Sequence, residues 1–302
     1  MQIPYEKISI DNITTNYTIA HGVTLHMVRF DKIHNIVSGN KLFKLYHYLN
    51  TAAENKVTTI VTFGGAFSNH LVATAFACKQ QQLKSIGIVR GEKPKNISHT
   101  LQQCIAFGME LQFISRNAYK NYENNEIAFA QIKNTYDPCL VIPEGGYGVE
   151  GCKGAGLMYN FMINHNPTHI CCAVGTATTF AGLVKNNKHN NVELIAVPVI
   201  KNMMDLDDRI RYLTQQNHGT YTVFNDAHFG GYAKHPPSLI AFMNKFYEDT
   251  NIETDIVYTS KMMYAVIEKI KAGYFKKGSK IFCVHTGGLQ GNNSLPSNML
   301  NF

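Results

Sequence analysis

One lysine in the sequence lies at the predicted start of a helix, a position that could make its amine reactive. Lys41 lies within residues 38–45, which read SGNKLFKL. Apolar residues recur after it at three- and four-residue spacing, which predicts an amphipathic helix with Asn40 or Ser38 as its N-cap. In the first turn of that helix, the partial positive charge of the helix end disfavours the ammonium form of Lys41. The free amine is the form that imine chemistry requires, whereas an ordinary solvated helix lysine is the alternative.

The composition limits the kinds of protein that this chain could be. It has 302 residues, 45% of them hydrophobic, and we expect two domains that share a cleft. No apolar run approaches the ~20 residues that span a bilayer, and the first residues lack the apolar core of a signal peptide. We therefore predict a cytoplasmic protein with no membrane partner. The seven cysteines contain no C-x-x-C pair, which favours reduced, buried thiols.

The charge of the chain does not indicate a nucleic-acid partner. The formal net charge is +7, but the basic residues are scattered, with one tight group at Lys276, Lys277 and Lys280. Such a charge would still attract a small anionic substrate or cofactor. The thirteen histidines show no metal-binding spacing, so no metal site is predicted.

Predicted strands and helices alternate along most of the chain. A β-branched run at 57–63 precedes a helical pattern that Ser68 and Asn69 cap, and a second series of units ends with a strand at 280–285. A long polar helix is predicted over 119–133 within the first series. This rhythm predicts an α/β protein with parallel sheets covered by helices. The asparagine-rich tail after Gly291 is predicted to be frayed.

Four glycine-containing loops each follow a predicted strand, where ligands bind in parallel sheets. They span 64–70, 145–148, 175–179 and 286–288. The third consists of Gly175, Thr176, Ala177, Thr178 and Thr179. It offers backbone N–H groups and three hydroxyls at a helix start, as a phosphate site without a lysine would.

This third loop lacks the motifs of nucleotide P-loops and dinucleotide folds, so a single phosphate on a compact cofactor fits it better. Each glycine pair alone is typical of an ordinary turn, but their joint recurrence at strand ends favours a site. Together with a lysine prepared for imine chemistry, the loop indicates pyridoxal 5′-phosphate as the cofactor.

Six short motifs extend this interpretation through nearly the whole chain. In order they are SGNKLFKL, GGAFSNH, PEGG, GTATTFAGL, VYTSKMM and HTGGL. Together they resemble the pyridoxal-phosphate enzymes of the 1-aminocyclopropane-1-carboxylate deaminase and D-cysteine desulfhydrase family. The resemblance implies the two-domain fold of the tryptophan synthase β type, PLP fold type II. It implies a larger cofactor-binding domain from residues 1–40 and 137–302 and a smaller mobile domain from 41–136. A homodimer is the default expectation.

The resemblance also implies which residues hold the cofactor. Lys41 matches the Schiff-base lysine of the family, and Asn40 precedes it as in the family. The loop from Gly175 to Thr179 matches the phosphate cup. Thr286 is expected at the pyridine nitrogen.

Further residues match the substrate side of the family's site. Ser68 and Asn69 match residues that receive the substrate carboxylate beside the cofactor. Tyr232 and Tyr258 match two tyrosines that face the substrate and the lysine. One residue departs from the pattern, because Phe67 stands where well-known members carry a glutamine. An aromatic wall thus replaces a carboxamide that could hold substrate.

Two positions bear on the reaction itself. The deaminases carry a glutamate where this chain has Thr259 and a leucine where it has Thr286. A carboxylate beside the pyridine nitrogen would favour its protonation and make the ring a stronger electron sink, which a hydroxyl cannot do. Opening a cyclopropane needs the stronger sink, while expulsion of a thiolate can proceed with the weaker one. The threonine pair resembles the D-cysteine desulfhydrase pattern.

The resulting prediction is β-elimination from a small D-amino acid. Lys41 acts as the base at Cα, and the products are a 2-oxo acid and ammonia. Three alternatives remain open. They are the deaminase reaction on 1-aminocyclopropane-1-carboxylate, isomerisation or dehydration of another amino acid such as D-serine, and a non-catalytic protein that binds the cofactor.

Overall fold

Two β-sheets organise the chain in a computed structural model that describes residues 3–124, 126–188, 192–216 and 219–302. Contacts divide the chain into two compact units. Unit 1 comprises Lys41–Gly154 together with Ile3, and unit 2 comprises Pro4–Asn40 and Ala155–Phe302. Each unit contains one of the sheets.

In chain order the strands are β1 (Ser9–Ile13), β2 (Thr24–Arg29), β3 (Thr59–Gly64), β4 (Lys84–Arg90), β5 (Met109–Ile114), β6 (Cys139–Ile142), β7 (His169–Val174), β8 (Glu193–Pro198), β9 (Thr222–Val223) and β10 (Lys280–Val284). The helices are α1 (Asn16–His21), α2 (Asn40–Glu54), α3 (Asn69–Gln80), α4 (His99–Ala106), α5 (Arg116–Asn124), α6 (Glu126–Tyr136), α7 (Val149–Ile163), α8 (Thr178–Asn186), α9 (Leu206–Thr214), α10 (Pro237–Thr250) and α11 (Thr259–Lys271). Within the described ranges, none of these helices has the length and apolar character needed to cross a membrane.

The sheet of unit 1 is four-stranded and parallel, in the order β5-β4-β3-β6. Every residue of β3 is buried, as its β-branched sequence TIVTFG predicts for a central strand covered on both faces. Val61, Ile86, Ile88 and Tyr119 form the centre of its core. Because β6 pairs with β3, residues 139–154 belong to unit 1, whereas the sequence analysis expected the smaller domain to end at 136. The mobility of that domain stays a prediction.

The sheet of unit 2 has the order β1-β2-β10-β7-β8-β9. All neighbours in it are parallel except β1, which runs antiparallel to β2 at one edge. Arg29 stabilises this edge, since its guanidinium lies 2.8 Å from the Asp11 carboxylate and 2.7 Å from that of Asp31. The predicted α/β class with parallel sheets covered by helices is confirmed, with one antiparallel edge strand that the alternating pattern did not indicate.

One short helix was not predicted. Helix α1 was missed, although Thr15 and Thr18 form a reciprocal capping box at its start. The long polar helix predicted over 119–133 falls on α5 and α6, which end and begin on either side of residue 125, and that residue lies outside the described part of the chain.

The C-terminal tail is packed, which corrects the prediction that it would fray. Leu295, Leu300 and Phe302 pack against the apolar cluster formed by Leu239, Met243 and Ile256. The Phe302 ring lies 4.7 Å from the Tyr247 ring between centroids. The asparagines that suggested disorder alternate with apolar side chains, and these anchor the tail to unit 2.

This packing can be tested by replacing Phe302→Ala. Because the ring is half-buried, we expect the free energy of unfolding to fall by about 2 kcal/mol, roughly half the loss for a fully buried phenylalanine. The measurement is chemical denaturation, with the exposed Ser297→Ala as the control. A frayed tail would leave both variants at the stability of the wild type.

Candidate active site

Within unit 2, Asn40 connects two of the predicted loops. It is the first residue of α2, and its Nδ2 donates a hydrogen bond of 2.7 Å to Thr179 Oγ1. Its backbone N–H donates to the Thr286 carbonyl at 3.1 Å. Lys41 follows Asn40 directly in the chain. The residue that precedes the predicted Schiff-base lysine is therefore held by both the 175–179 and the 286–288 loops.

Gly39 is required for this arrangement. Its φ is +79°, and a Cβ at this position would lie only 1.8 Å from the Thr286 carbonyl oxygen. On the other side, His285 Nδ1 accepts a hydrogen bond of 3.2 Å from the Gly287 N–H. Because the His285 side chain is fully buried, this hydrogen bond is shielded from water and helps to hold the turn that contains Thr286.

The 175–179 loop runs from the end of β7 into α8, as the sequence predicted. Ala177 precedes the helix with φ +68°, a conformation that is uncommon for a residue with a side chain. Such strained positions cluster at ligand sites. Thr176 and Thr178 share a hydroxyl–hydroxyl hydrogen bond of 3.1 Å. Since the first N–H groups of a helix have no partner within it, the loop can receive an anion.

The two predicted tyrosines lie together beside this loop. A Cβ on Gly175 would lie 3.0 Å from Tyr258 Cε1, so the tyrosine ring packs directly on the glycine. The hydroxyls of Tyr258 and Tyr232 are 3.5 Å apart, and the two rings meet edge to face. Tyr232 is 57% exposed, in keeping with a side chain that faces a ligand rather than the core.

Sequence analysis missed Asp255, which organises the start of α11. Its buried carboxylate accepts hydrogen bonds from the N–H groups of Val257 at 2.9 Å, Tyr258 at 2.8 Å and Thr259 at 2.8 Å. Asp255 lies three residues before Tyr258, the N-cap of α11, and an aspartate in such a turn commonly hydrogen-bonds the backbone that follows it, which is the signal that could have identified it. Asp255 thereby fixes the backbone that carries Tyr258 and Thr259.

Lys261, two residues after Thr259, was also missed. Its ammonium donates hydrogen bonds to the carbonyls of His228 at 3.0 Å and Gly231 at 2.7 Å. Burial lowers the pKa of Lys261 to about 8, and the Asp255 carboxylate opposes that shift. The group is therefore an ammonium at neutral pH.

The residues of unit 2 fit pyridoxal phosphate. The hydroxyls of Thr259 and Ser260 are buried and have no hydrogen-bond partner among the described residues. Buried polar atoms without partners are rare in native proteins and indicate a group that completes them. With the anion-accepting loop that begins at Gly175, they match the needs of a cofactor with one phosphate and a polar ring.

In unit 1, the start of α3 carries a second set of polar atoms. Ser68 caps the helix as predicted, since its Oγ accepts a hydrogen bond of 3.3 Å from the Leu71 N–H. Asn69 Oδ1 and His70 Nδ1 are buried and have no partner among the described residues. Both are acceptors for a ligand N–H or O–H, while the helix start itself favours a carboxylate.

The protonation state of His70 follows from its hydrogen bonds. Thr62 donates its hydroxyl proton to the Ile142 carbonyl at 2.8 Å, so Thr62 Oγ1 must accept from His70 Nε2–H, also at 2.8 Å. The proton lies on Nε2, and Nδ1 carries the lone pair. Burial, together with the positive charges of Lys41 and Lys44, lowers the pKa of His70 to about 3. Lys41 therefore lies close to a neutral imidazole.

Phe67 is a surface aromatic residue rather than a core residue. Its side chain is 54% exposed, and its ring lies 5.8 Å from the His99 ring. Ser98 Oγ donates to the Ala66 carbonyl and joins the same two segments of unit 1. The aromatic wall expected from the sequence is thus available to a ligand.

The family of the chain follows from comparison with known proteins. The model of the family described as "Pyridoxal-phosphate dependent enzyme" matches residues 31–287, and the chain belongs to that family. A solved structure described as an ACC deaminase homologue superposes with a TM-score of 0.82 at 23% identity, covering 97% of this chain and 92% of the other. The expected fold and cofactor class are confirmed.

Curated relatives fall in both branches that the motifs resemble. A bifunctional D-cysteine desulfhydrase and 1-aminocyclopropane-1-carboxylate deaminase from Arabidopsis thaliana is 26% identical, over 90% of this chain and 74% of the relative. A D-cysteine desulfhydrase from Klebsiella pneumoniae is 25% identical, over 88% of this chain and 87% of the relative. The recognition of this family from its motifs is confirmed.

The buried His70 predicts a loss of stability in acid. Below pH 6.5 His70 is protonated in the unfolded chain, whereas in the folded chain it is protonated only near pH 3. The free energy of unfolding therefore decreases as the pH is lowered. We expect His70→Gln to lose about 3 kcal/mol less free energy of unfolding than the wild type between pH 7 and pH 4. Chemical denaturation of the whole protein at pH 7 and at pH 4 measures this difference. His47→Gln, outside the Thr62–His70 network, is the control, and equal pH dependence in all three proteins would contradict the assignment.

Proposed function

We propose that the chain is a pyridoxal-phosphate-dependent lyase that eliminates the β-substituent of a small D-amino acid, in the manner of a D-cysteine desulfhydrase. The observation that carries the proposal is the neutral hydroxyl of Thr259, buried without a partner at the start of α11. A carboxylate at this position would favour protonation of the cofactor ring, and the hydroxyl does not. Thr286 supplies a second neutral hydroxyl. The names of the curated relatives agree with a lyase of this kind.

The residues proposed to hold the cofactor are those that the motifs single out. Lys41 would bind it covalently, and the loop from Gly175 to Thr179 would receive its phosphate. Asn40, Asn69 and Thr286 would complete the contacts, with Thr286 at the pyridine nitrogen. The support for this assignment is the pair of hydrogen bonds that hold Asn40 to the two loops of unit 2. When bound, the cofactor supplies a ring that withdraws the negative charge left when the substrate loses its Cα proton.

The chain's own residues then have distinct tasks. Once the incoming amino acid has displaced it from the cofactor, the freed amine of Lys41 would take the Cα proton as the general base. The start of α3, with Ser68 and Asn69, holds the substrate carboxylate through its N–H groups. Tyr258 and Tyr232 position the lysine or assist the leaving group. With D-cysteine and water as reactants, the products are pyruvate, ammonia and hydrogen sulfide.

We further propose a homodimer in the cytoplasm. Closed two-fold dimers are the commonest soluble assemblies. Six of the seven cysteines are buried, as suits thiols in a reducing compartment. Light scattering on the purified protein tests the assembly.

The role of Lys41 can be tested by absorbance. We expect the wild type, reconstituted with pyridoxal phosphate, to show a visible band from covalently bound cofactor, and Lys41→Ala to lack that band because its side chain has no amine. The exposed Lys84→Ala is the control and should keep the band. A wild type that stays colourless with added cofactor would contradict the cofactor assignment.

A product assay tests the reaction. We expect D-cysteine to yield pyruvate and sulfide at least about tenfold faster, in kcat/KM, than 1-aminocyclopropane-1-carboxylate yields 2-oxobutanoate, since a tenfold ratio needs only ~1.4 kcal/mol of discrimination in the transition state. D-Serine and the L-enantiomers complete the screen. Preferential turnover of 1-aminocyclopropane-1-carboxylate would instead support the deaminase. Bound cofactor whose spectrum no amino acid perturbs would support a non-catalytic binding protein.

A further inference from the structure

Tyr232 and Tyr258 come from different segments of unit 2, so their pairing needs an explanation. Tyr258 precedes α11 and is fixed by the Asp255 carboxylate. Tyr232 ends an irregular segment, 228–232, in which Phe229, Gly230 and Gly231 all have positive φ values. The segment belongs to no helix or strand and is held by local turn bonds, such as the 2.9 Å hydrogen bond from the Gly231 N–H to the His228 carbonyl, to which side chains can add support.

Lys261 provides that support from the helix that follows Tyr258. Its side chain is completely buried, and its ammonium donates to the carbonyls of His228 at 3.0 Å and Gly231 at 2.7 Å. The first carbonyl belongs to His228, at the start of the segment, and the second belongs to Gly231, the residue directly before Tyr232. Burying an ammonium without hydrogen-bond partners costs free energy. The folded state is therefore stabilised when these two carbonyls lie beside the Lys261 ammonium.

The charge of Lys261 is balanced from its own helix start. Asp255 lies six residues before it, is 1% exposed and acts as the opposing charge. The same carboxylate fixes the backbone of Tyr258 and Thr259. One buried pair of opposite charges therefore reaches both tyrosine-bearing segments.

We propose that Lys261 is a positioning residue whose ammonium ties segment 228–231 to α11 and so sets the Tyr232 hydroxyl beside that of Tyr258. The consequence for turnover rests on the function proposed above. The consequence for the order of the segment does not. The alternative is that Lys261 merely stabilises unit 2 as a whole.

The test compares Lys261→Met with the wild type. Methionine keeps most of the side-chain volume and removes all three donors. The control is Lys245→Met, which removes an exposed lysine paired with Asp249. Hydrogen–deuterium exchange is read on peptides covering 226–234 and, for comparison, on the central strand β8. We expect exchange to rise about tenfold or more in 226–234, because charge-assisted hydrogen bonds are lost there, and to stay within about twofold in β8.

Kinetics of the cofactor-loaded enzyme give a second readout. We expect Lys261→Met to lower kcat by about tenfold or more while KM stays within about threefold, since the tyrosine pair acts after substrate binds. Tyr232→Phe should lower kcat in the wild type and have little further effect in the Lys261→Met background. Such non-additivity shows that the lysine acts through the tyrosine.

Three outcomes would overturn the proposal. They are unchanged exchange in 226–234, exchange that rises equally in β8, and fully additive effects of Lys261→Met and Tyr232→Phe. If Lys261→Met does not fold, Lys261→Gln is used instead, since glutamine retains an uncharged donor. Its exchange in 226–234 should rise by less than the roughly tenfold expected for methionine, and only in those peptides. If the protein turns over none of the amino acids screened, the proposed function fails while the exchange measurement still decides the role of Lys261.

Discussion

The hydrogen bonds of Asn40 are the interaction on which the candidate site depends. Asn40 is 6% exposed, so its bonds to Thr179 Oγ1 and the Thr286 carbonyl are shielded from competing water. Removing one partner of a buried hydrogen bond costs the full desolvation of the other. Because Lys41 follows Asn40 without an intervening residue, the same two bonds set where the lysine backbone begins. Gly39 makes this possible, since a larger residue would collide with the Thr286 carbonyl.

Unit 2 buries several polar groups whose burial costs free energy of folding. Asp255 and Lys261 are buried charges, and Thr259 and Ser260 are buried hydroxyls, in a region where apolar residues would give greater stability. Each charge is satisfied by backbone groups, which places those backbone segments accurately. The hydroxyls have no such partners among the described residues. The charges thus build the framework, and the hydroxyls remain available to a ligand.

The sequence was a good guide where local patterns decide structure and a poor one where distant residues meet. Glycine loops after β-branched runs correctly placed the ends of β3 and β7, and Ser68 was recognised as a cap from its position before a helical pattern. The packing of the tail was missed because the apolar positions Leu300 and Phe302 are few and lie among asparagines. Periodicity reports on the faces of helices and strands, and this tail has neither a long helix nor a strand.

The candidate site shows the same division. Lys41 and the 175–179 loop were predicted from local sequence patterns, and the two tyrosines were predicted from the family motifs that they match. Asp255, Lys261 and the tautomer of His70 were not, because each acts through backbone carbonyls, N–H groups or a hydroxyl contributed by other elements. Partners of that kind have no residue identity that a sequence pattern could show.

In unit 2, Thr259 and Thr286 bring no charge. In unit 1, His70 stays neutral because burial and two nearby lysines oppose its protonation. The buried carboxylate of Asp255 already accepts hydrogen bonds from three N–H groups, and its charge raises the pKa of Lys261 against the effect of burial. No described acid among these residues is therefore free to protonate a cofactor ring strongly. The proposed elimination would need a good leaving group at Cβ, because a departing thiolate takes up the charge that a weakly withdrawing ring cannot hold.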